Sequence, residues 1–312
     1  MGKKARALRA GDRIGLIAPS GGLKAPERAE AAVAMLESLG FRVKEGASCR
    51  ASYGYLAGSD GLRASDLNAF FADPEVDGIV CITGGYGTSR ILDLVDYQAV
   101  ARNPKVFVGY SDITGLHLAF ARECPFPTFH GPMGISDALL KADPFSLEAW
   151  RRAITSTEPL GPLVSPPGSP SLEALVGGVA RGEIVGGNLS LVAALMGTPW
   201  EMDARGKIIF IEDVDEAPYR VDRMLAQLRL AGKFRDCAGV LVGDWNNCVA
   251  GEGKPSLDIR QVLVDQVAGA GKPTVIGFRA GHCLPTHTIP LGVEARLDAE
   301  ALAVEILEPA LV

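Results

Sequence analysis

The chain of 312 residues carries 31 basic and 37 acidic side chains, a net charge of −6, which argues against a general nucleic-acid-binding protein. Hydrophobic residues make up 47% and charged residues 22% of the sequence, a balance that excludes a disordered or coiled-coil chain. The length is sufficient for about two domains.

The sequence shows no signal for membrane insertion or export. No apolar run approaches the roughly 18 residues needed to span a bilayer. The basic start at 3–6 is followed by further charged residues before any apolar segment forms, unlike a signal peptide. The six cysteines include no Cys-x-x-Cys pair, which suits a reducing compartment. We therefore expect a cytoplasmic protein with free thiols that binds neither nucleic acid nor membranes.

Strand and helix patterns alternate through the first half of the chain. The patterns predict strands at 13–18, 41–43, 78–82 and 106–109, and helices at 26–39, 89–95 and 113–122. Such alternation is typical of a parallel sheet wrapped by helices. Ligands of these sheets bind beyond the carboxyl ends of the strands, where two turns occur: Gly84-Gly85-Tyr86-Gly87 and Tyr110-Ser111-Asp112.

A segment rich in Pro, Ser and Gly divides the sequence. It predicts an N-terminal domain at 1–155, a linker at 156–172 and a C-terminal domain at 173–312. The last part combines predicted helices at 188–196, 220–230 and 257–267 with strands at 207–211, 239–242 and 274–277. We therefore predict an α/β protein with a parallel sheet first and a mixed α/β domain second.

Ser111 lies in the predicted strand-to-helix turn after 106–109. A serine in such a turn exposes its hydroxyl at the sheet edge and is surrounded by backbone N–H groups that stabilise an oxyanion. The string differs from Gly-x-Ser-x-Gly because Ile113 replaces the second glycine. The alternative interpretation is that Ser111 or Asp112 caps the following helix.

The histidines differ in their predicted roles. His117 lies among apolar residues of a helix and is expected in the core, whereas His130 follows a short β-like run and suits a turn or a supporting role. His282 and His287 share a loop in which Pro285 prevents the helical spacing of a metal pair. We predict neither a metal nor a cofactor, and His282 as a general base requires a nucleophile and an acid elsewhere.

Glu212 is the candidate acid. It is the first of four carboxylates in five positions that follow the predicted strand at 207–211, and it is nearest to that strand. A solvated strand end is the alternative, and the spacing does not match a calcium-binding EF-hand loop. The glycines at 84–87 lack a nucleotide-binding motif; they supply either an N–H donor to a substrate or a tight turn.

Ten short motifs follow one another along nearly the whole chain: Gly11-Asp12-Arg13-Ile14, Ala18-Pro19-Ser20, Gly84-Gly85-Tyr86-Gly87 with Arg90, Gly109-Tyr110-Ser111-Asp112, His130-Gly131-Pro132-Met133, Gly186-Gly187-Asn188-Leu189, Gly197-Thr198-Pro199, Ile211-Glu212-Asp213, Pro218-Tyr219-Arg220-Val221-Asp222-Arg223 and Gly281-His282. In this order they resemble the LD-carboxypeptidase family of serine peptidases, which also contains the microcin C immunity proteins. Each motif is weak alone, but the ordered set is specific.

The resemblance implies a catalytic triad of Ser111, His282 and Glu212, and an oxyanion hole from the backbone N–H groups of Gly85 and Asp112. It also implies a flavodoxin-like N-terminal domain that carries the serine, a C-terminal domain that carries the acid and base, and a homodimer. Two departures from the family pattern are expected to border the substrate cleft: Thr83 in place of an arginine, and Gly243-Asp244-Trp245 in place of Gly-x-Phe.

The implied reaction is hydrolysis of the L,D-peptide bond that releases terminal D-Ala from murein tetrapeptide. The alternative within enzymes is an immunity-type cleavage of peptidyl or aminoacyl nucleotides, and the alternative outside enzymes is a small-ligand-binding protein. Arg90 is a candidate for the substrate carboxylate, or else pairs with Asp93 or Asp96 on a helix surface. Trp245 is a candidate for stacking on a nucleobase, or else a core residue.

Overall fold

The computed structural model describes residues 3–312, in which two sheets are packed with helices. The first sheet begins with five strands: β1 (Arg13–Ile17), β2 (Arg42–Glu45), β3 (Gly78–Cys81), β4 (Val106–Gly109) and β5 (Thr128–His130). They are parallel and lie in the order β2-β1-β3-β4-β5, which is the flavodoxin order. The predicted flavodoxin-like parallel sheet is confirmed.

Six helices accompany these strands: α1 (Glu27–Ser38), α2 (Asp60–Ala72), α3 (Tyr97–Arg102), α4 (Thr114–Glu123), α5 (Asp137–Leu140) and α6 (Pro144–Thr155). The predicted helices at 26–39 and 113–122 correspond to α1 and α4. The central strands β3 and β4 are wholly buried, as expected for parallel strands with both faces covered.

The predicted helix at 89–95 is wrong. The segment forms two short 3-10 turns, Thr88–Arg90 and Leu92–Leu94. Thr88 is fastened to Asp112 at one end, and at the other end Asp96 accepts a hydrogen bond from Ala99 N–H as the cap of α3. These contacts fix the two ends of the segment, and the chain between them forms 3-10 turns instead of one α-helix.

The second half supplies nine strands: β6 (Gly161–Pro162), β7 (Glu173–Val176), β8 (Val179–Asn188), β9 (Ile208–Val214), β10 (Gly239–Asn246), β11 (Thr274–Ile276), β12 (Ile289–Leu291), β13 (Glu294–Asp298) and β14 (Ala303–Ile306). Its helices are α7 (Leu189–Ala194), α8 (Pro218–Leu230), α9 (Lys233–Asp236) and α10 (Ile259–Gln266).

Eight of these strands form the second sheet. Strands β8 to β11 are parallel neighbours, and antiparallel strands flank them on both sides. The predicted mixed α/β organisation is confirmed. Strand β9 continues to Val214 instead of ending at 211, so that Glu212 and Asp213 lie within the strand and not after it; the prediction was too short because carboxylates are uncommon in buried strands.

The remaining strand of the second half, β12, lies in the first sheet. It pairs antiparallel with β5, and its Ile289 lies opposite His130. Within the predicted linker, β6 pairs with β14. The second half therefore contributes a strand to the first sheet, and the proposed division at 156–172 stays a prediction.

Apolar packing is continuous between the halves. One buried cluster contains Phe129 of β5, Phe210 of β9 and Ile289 of β12, so side chains of both sheets share a core. Between residues 3 and 312, no helix has the length and apolar character needed to cross a membrane.

Candidate active site

Ser111 lies in a sharp turn directly after β4. Its φ angle is 62°, in the left-handed region that a non-glycine residue adopts at a cost of about 1–3 kcal/mol. The chain then forms a 3-10 turn over Ser111–Ile113 and enters α4 without a side-chain cap, so the helix-capping alternative is not what the structure shows. A Cβ atom at Gly84 would lie 3.0 Å from Ser111 Oγ. The glycine turn after β3 therefore lies against the serine hydroxyl.

The carboxylate of Asp112 joins the loops that follow three neighbouring strands. Its Oδ2 accepts hydrogen bonds from the Ser20 hydroxyl after β1, at 2.6 Å, and from the Thr88 N–H after β3, at 2.8 Å. The backbone carbonyl of Asp112 accepts a third hydrogen bond, from Thr88 Oγ1 at 2.6 Å. Burial raises the pKa of Asp112, although these hydrogen bonds act in the opposite direction. The carboxylate thus fixes the turn that carries Ser111.

Gly85 is held in the neighbouring turn. Its φ angle of 107° is accessible mainly to glycine. The turn is fastened by a hydrogen bond of 3.0 Å from Gly21 N–H to the Gly84 carbonyl. A Cβ at position 85 would lie 3.3 Å from Gly21 Cα, so the two loops approach closely. Gly85 and Asp112, the residues predicted to supply oxyanion donors, therefore both lie in turns beside Ser111.

Glu212 and His282 form a hydrogen-bonded pair in the second half of the chain. Glu212 Oε2 lies 2.6 Å from His282 Nδ1 and accepts a second bond from the His282 backbone N–H at 3.2 Å. The Glu212 side chain has an exposed fraction of 0%. Gly281 has a φ angle of 107°, and a Cβ there would overlap the carboxylate. The motif Gly281-His282 is therefore a glycine that makes room for the acid and a histidine that binds it.

The environment of His282 favours its protonated form. Burial alone lowers the pKa of an imidazole, but the negative charge of Glu212 and its hydrogen bond outweigh burial, and the pKa of His282 is raised above its ordinary value. A carboxylate on Nδ1 also leaves Nε2 as the nitrogen that exchanges a proton with a reactant. The pair has the electrostatics of a general base with its orienting acid.

Tyr110 brings the two halves of the site together. Its ring centroid lies 4.7 Å from that of His282, and it directly precedes Ser111 in the chain. The contact places the Glu212–His282 pair beside the serine turn. Ser111 and His282 are 171 positions apart in the sequence. Ser111 lies at the carboxyl edge of the first sheet and His282 in the loop after β11, and the Tyr110 contact joins these two segments.

A cleft of about 720 Å³ opens next to His282 and Tyr110. Residues of both departures from the family pattern line this cleft: Thr83, Asp244 and Trp245. Trp245 is half-buried at the end of β10, and its ring N–H is buried without a hydrogen-bond partner in the described residues. Trp245 therefore both borders the cleft and packs against the core.

Arg90 is held outside this cleft wall. Its guanidinium binds both carboxylate oxygens of Asp60, with distances of 2.9 and 2.7 Å. The expected alternative partners, Asp93 and Asp96, are not the ones it binds. Two arginines that sequence reasoning missed do line the cleft: Arg279 pairs with Asp244 at 2.7 Å, and Arg28 donates to the Ile135 carbonyl at 3.1 Å. The sequence signal for Arg279 was its place three residues before His282.

The remaining histidines have other surroundings. His117 is buried in α4 and contacts Thr128 Oγ1 and the Gly109 carbonyl, both at 2.9 Å; its prediction as a core residue is confirmed. His287 stacks on Phe278 and contacts the Val164 carbonyl at 3.0 Å. His130 lies on β5 rather than in a turn, and its Nε2 is 3.7 Å from Glu212 Oε1.

Comparison with known proteins agrees with this geometry. Residues 14–131 match the LD-carboxypeptidase N-terminal domain, and residues 181–297 match the LD-carboxypeptidase C-terminal domain. The chain belongs to the LD-carboxypeptidase family. It is therefore a hydrolase of the peptidase class, and the predicted family resemblance is confirmed.

Individual members extend the match over nearly the whole chain. The probable murein peptide carboxypeptidase of Bacillus subtilis is 44% identical over 96% of this chain and 93% of its own length. The murein tetrapeptide carboxypeptidase of Pseudomonas aeruginosa is 30% identical over 93% and 94%. A solved structure of MccF in complex with glutamyl sulfamoyl guanosine is 25% identical, covers 99% of both chains and has a TM-score of 0.91. The LD-carboxypeptidase fold is thus preserved from end to end.

The Asp112 contacts generate a stability prediction. Asp112→Ala leaves the Ser20 hydroxyl and the Thr88 N–H without their acceptor, and we expect a loss of about 1–3 kcal/mol in the free energy of unfolding for each buried donor, together with a lower kcat. Urea unfolding and steady-state kinetics measure the two effects. Ser20→Ala is the matched control and is expected to cost less, because the Thr88 bond remains. Equal stability of Asp112→Ala and the wild type would contradict this role.

Proposed function

We propose that this chain is a serine LD-carboxypeptidase that hydrolyses the L,D-peptide bond before the terminal D-Ala of murein tetrapeptide. The observation that carries the proposal is the buried Glu212–His282 pair, packed through Tyr110 against the turn of Ser111. The names of the Bacillus and Pseudomonas relatives support a murein peptide as the substrate. A homodimeric, cytoplasmic enzyme that needs no cofactor is part of the same proposal.

In the proposed mechanism, Ser111 Oγ attacks the carbonyl carbon of the L,D-bond while His282 Nε2 removes its proton. Glu212 stabilises the imidazolium through Nδ1. The tetrahedral oxyanion accepts hydrogen bonds from the backbone N–H groups of Gly85 and Asp112. His282 then protonates the leaving amine of D-Ala as the peptide bond breaks. Water attacks the acyl-enzyme while His282 removes its proton, and His282 returns that proton to Ser111 Oγ as the ester bond breaks.

The free carboxylate of the substrate requires a cation or aligned N–H donors near the scissile bond. Arg90 was the sequence-based candidate, but it does not line the cleft. Each arginine already pairs with a carboxylate, Arg90 with Asp60 and Arg279 with Asp244, so their positions and not their pairing distinguish them. Arg279 lines the cleft together with His282, and it is the better-placed candidate in this proposal. A cleft of about 720 Å³ is within the usual range for small-molecule sites and suits a short peptide.

An immunity-type activity on aminoacyl nucleotides is the second candidate. It is favoured by the presence of Trp245 on the cleft wall, where an aromatic ring is available for a nucleobase, and by the likeness to MccF with a bound nucleoside conjugate. The murein peptide ranks first because the Bacillus relative is far more similar in sequence, at 44% against 25% for MccF.

The triad is tested by single and double substitutions. We expect Ser111→Ala and His282→Ala each to lower kcat by about 10⁴-fold or more, and the double variant to lose little beyond either, because triad members act as one unit. Circular dichroism checks that the variants remain folded. Additive losses contradict a shared mechanism. Wild-type activity in Ser111→Ala rules out the serine mechanism. If the wild-type protein binds the peptide but hydrolyses none of it, the result favours a small-ligand-binding protein.

The raised pKa of His282 gives a pH prediction. The base must be neutral, so kcat/KM rises with pH through the pKa of His282. Glu212→Gln removes the negative charge that raises this pKa but keeps an amide oxygen as an acceptor, and we expect the acidic limb of kcat/KM to move to lower pH. An NMR titration of the His282 imidazole measures the same shift independently of turnover. An unchanged pKa in Glu212→Gln would refute the electrostatic coupling.

The substrate class is tested by direct comparison. We expect the highest kcat/KM for a tetrapeptide that ends in D-Ala, and a much lower value for the same peptide built only from L-residues, because the leaving residue has the wrong configuration. An aminoacyl sulfamoyl adenylate serves as the competing substrate, with Trp245→Ala as the matched variant. If the wild type prefers the adenylate and Trp245→Ala loses that preference, the proposed substrate is a nucleotide conjugate and not the murein peptide.

A further inference from the structure

The side of Glu212 that faces away from His282 is occupied by His130. Glu212 Oε1 is buried and accepts no hydrogen bond within the described residues, and the same holds for both ring nitrogens of His130. The nearest approach joins His130 Nε2 to Glu212 Oε1 at 3.7 Å. Buried polar atoms normally have partners, so three unsatisfied atoms around one carboxylate form an incomplete network at the catalytic acid.

The imidazole of His130 is confined by its surroundings. Its ring lies edge-on to Phe210 with a centroid distance of 5.1 Å and to Tyr110 at 6.0 Å. A Cβ at Gly187 would lie 3.1 Å from His130 Nδ1, so the backbone of β8 closes that side. His130 also lies on β5 opposite Ile289 of β12, which fixes its position in the strand pair between the two halves.

Burial and the neighbouring His282 lower the pKa of His130 to about 3, so the ring is neutral at pH 7 and carries one N–H. A carboxylate oxygen is only an acceptor. A bare Nε2 would direct its lone pair at the lone pairs of Glu212 Oε1, whereas a protonated Nε2 is attracted to them. The tautomer with the proton on Nε2 is therefore the one that this geometry favours.

We propose that His130 is a positioning residue, whose Nε2–H donates to Glu212 Oε1 and holds the carboxylate with Oε2 on His282. The distance of 3.7 Å exceeds a normal hydrogen bond, and hydrogen bonds of catalytic groups are often long without substrate and shorten in the reacting complex. The inference rests on the proposed function for its effect on rate, but the predicted tautomer does not depend on which substrate is cleaved.

The first test is ¹⁵N NMR of the wild-type protein labelled at histidine. The expected result is a neutral His130 whose Nε2 carries the proton and whose Nδ1 does not. A proton on Nδ1 would overturn the proposal. This measurement needs neither a variant that folds nor a known substrate, so its outcome is independent of the murein assignment.

The second test uses two variants of His130. His130→Leu replaces the imidazole by an apolar side chain and removes the donor, whereas His130→Gln keeps an N–H donor. We expect His130→Leu to lower kcat by about 10- to 100-fold with little change in KM, as for one hydrogen bond to a charged group, and to weaken the downfield NMR signal of the His282 Nδ1 proton. His130→Gln is expected to recover most of the rate. Equal losses in both variants would refute the donor role.

Two further variants separate positioning from packing. In a Glu212→Gln background, His130→Leu should add little to the loss of kcat, because the carboxylate that it holds is already absent; an additive loss would show a packing role and contradict the proposal. His117→Leu removes another buried imidazole, which packs against the His130 ring at a centroid distance of 6.3 Å and contacts Thr128 but not Glu212; it therefore controls for a change in packing around His130. It should leave the His282 proton signal unchanged, and an equal change there would contradict a specific effect of His130.

Discussion

Glu212 is a carboxylate with no exposed surface, and the rest of the active site depends on how its charge is satisfied. A buried charge without partners costs several kcal/mol. Here the side chain and the backbone N–H of His282 contact one oxygen. Gly281 leaves room for the carboxylate, and Gly243 leaves room for Cβ of the same side chain. Gly281 and His282, in the loop after β11, therefore both contact Glu212 of β9, which lies 70 residues before His282.

The proposed nucleophile and the proposed acid–base pair lie on different halves, so the proposed chemistry requires a fixed relation between two sheets. Several contacts supply it: Tyr110 lies on His282, Asn188 N–H donates to Thr114 Oγ1 at 3.0 Å, and β12 adds a strand from the second half to the first sheet. These contacts combine apolar packing with backbone pairing. A hinge motion between the halves would therefore break a shared core as well as the site. Binding of substrate is thus more compatible with local loop adjustments than with separation of the halves.

Sequence reasoning predicted the elements whose signals are local. The buried strands of the first sheet and the helices α1, α4 and α8 have continuous patterns, and the motifs around Ser111, Glu212 and His282 identified the residues that the fold brings close. Pairings between distant segments left no local signal: the partner of Arg90 is Asp60 on α2, and β12 joins a sheet from the other half. Helix α2 was missed although Ser59 caps it by accepting from Leu62 N–H and although its buried apolar residues have helical spacing: Ala64, Leu67, Phe70 and Phe71.

The acidic run at 212–216 shows why spacing alone does not assign roles. Successive side chains of a strand point to opposite faces, so Glu212 turns toward His282 while Asp213 turns toward α7. There Asp213 accepts bonds from Asn188 Nδ2 and Ser190 N–H, both at 2.9 Å, and anchors the start of that helix. A shift of β9 by one residue would exchange the faces and turn Asp213 instead of Glu212 toward His282. Strand β9 pairs with β8 so that Glu212 lies opposite Asn188, and its register with β10 shifts between Val242 and Trp245, next to Glu212. These pairings therefore decide which of the neighbouring carboxylates faces His282.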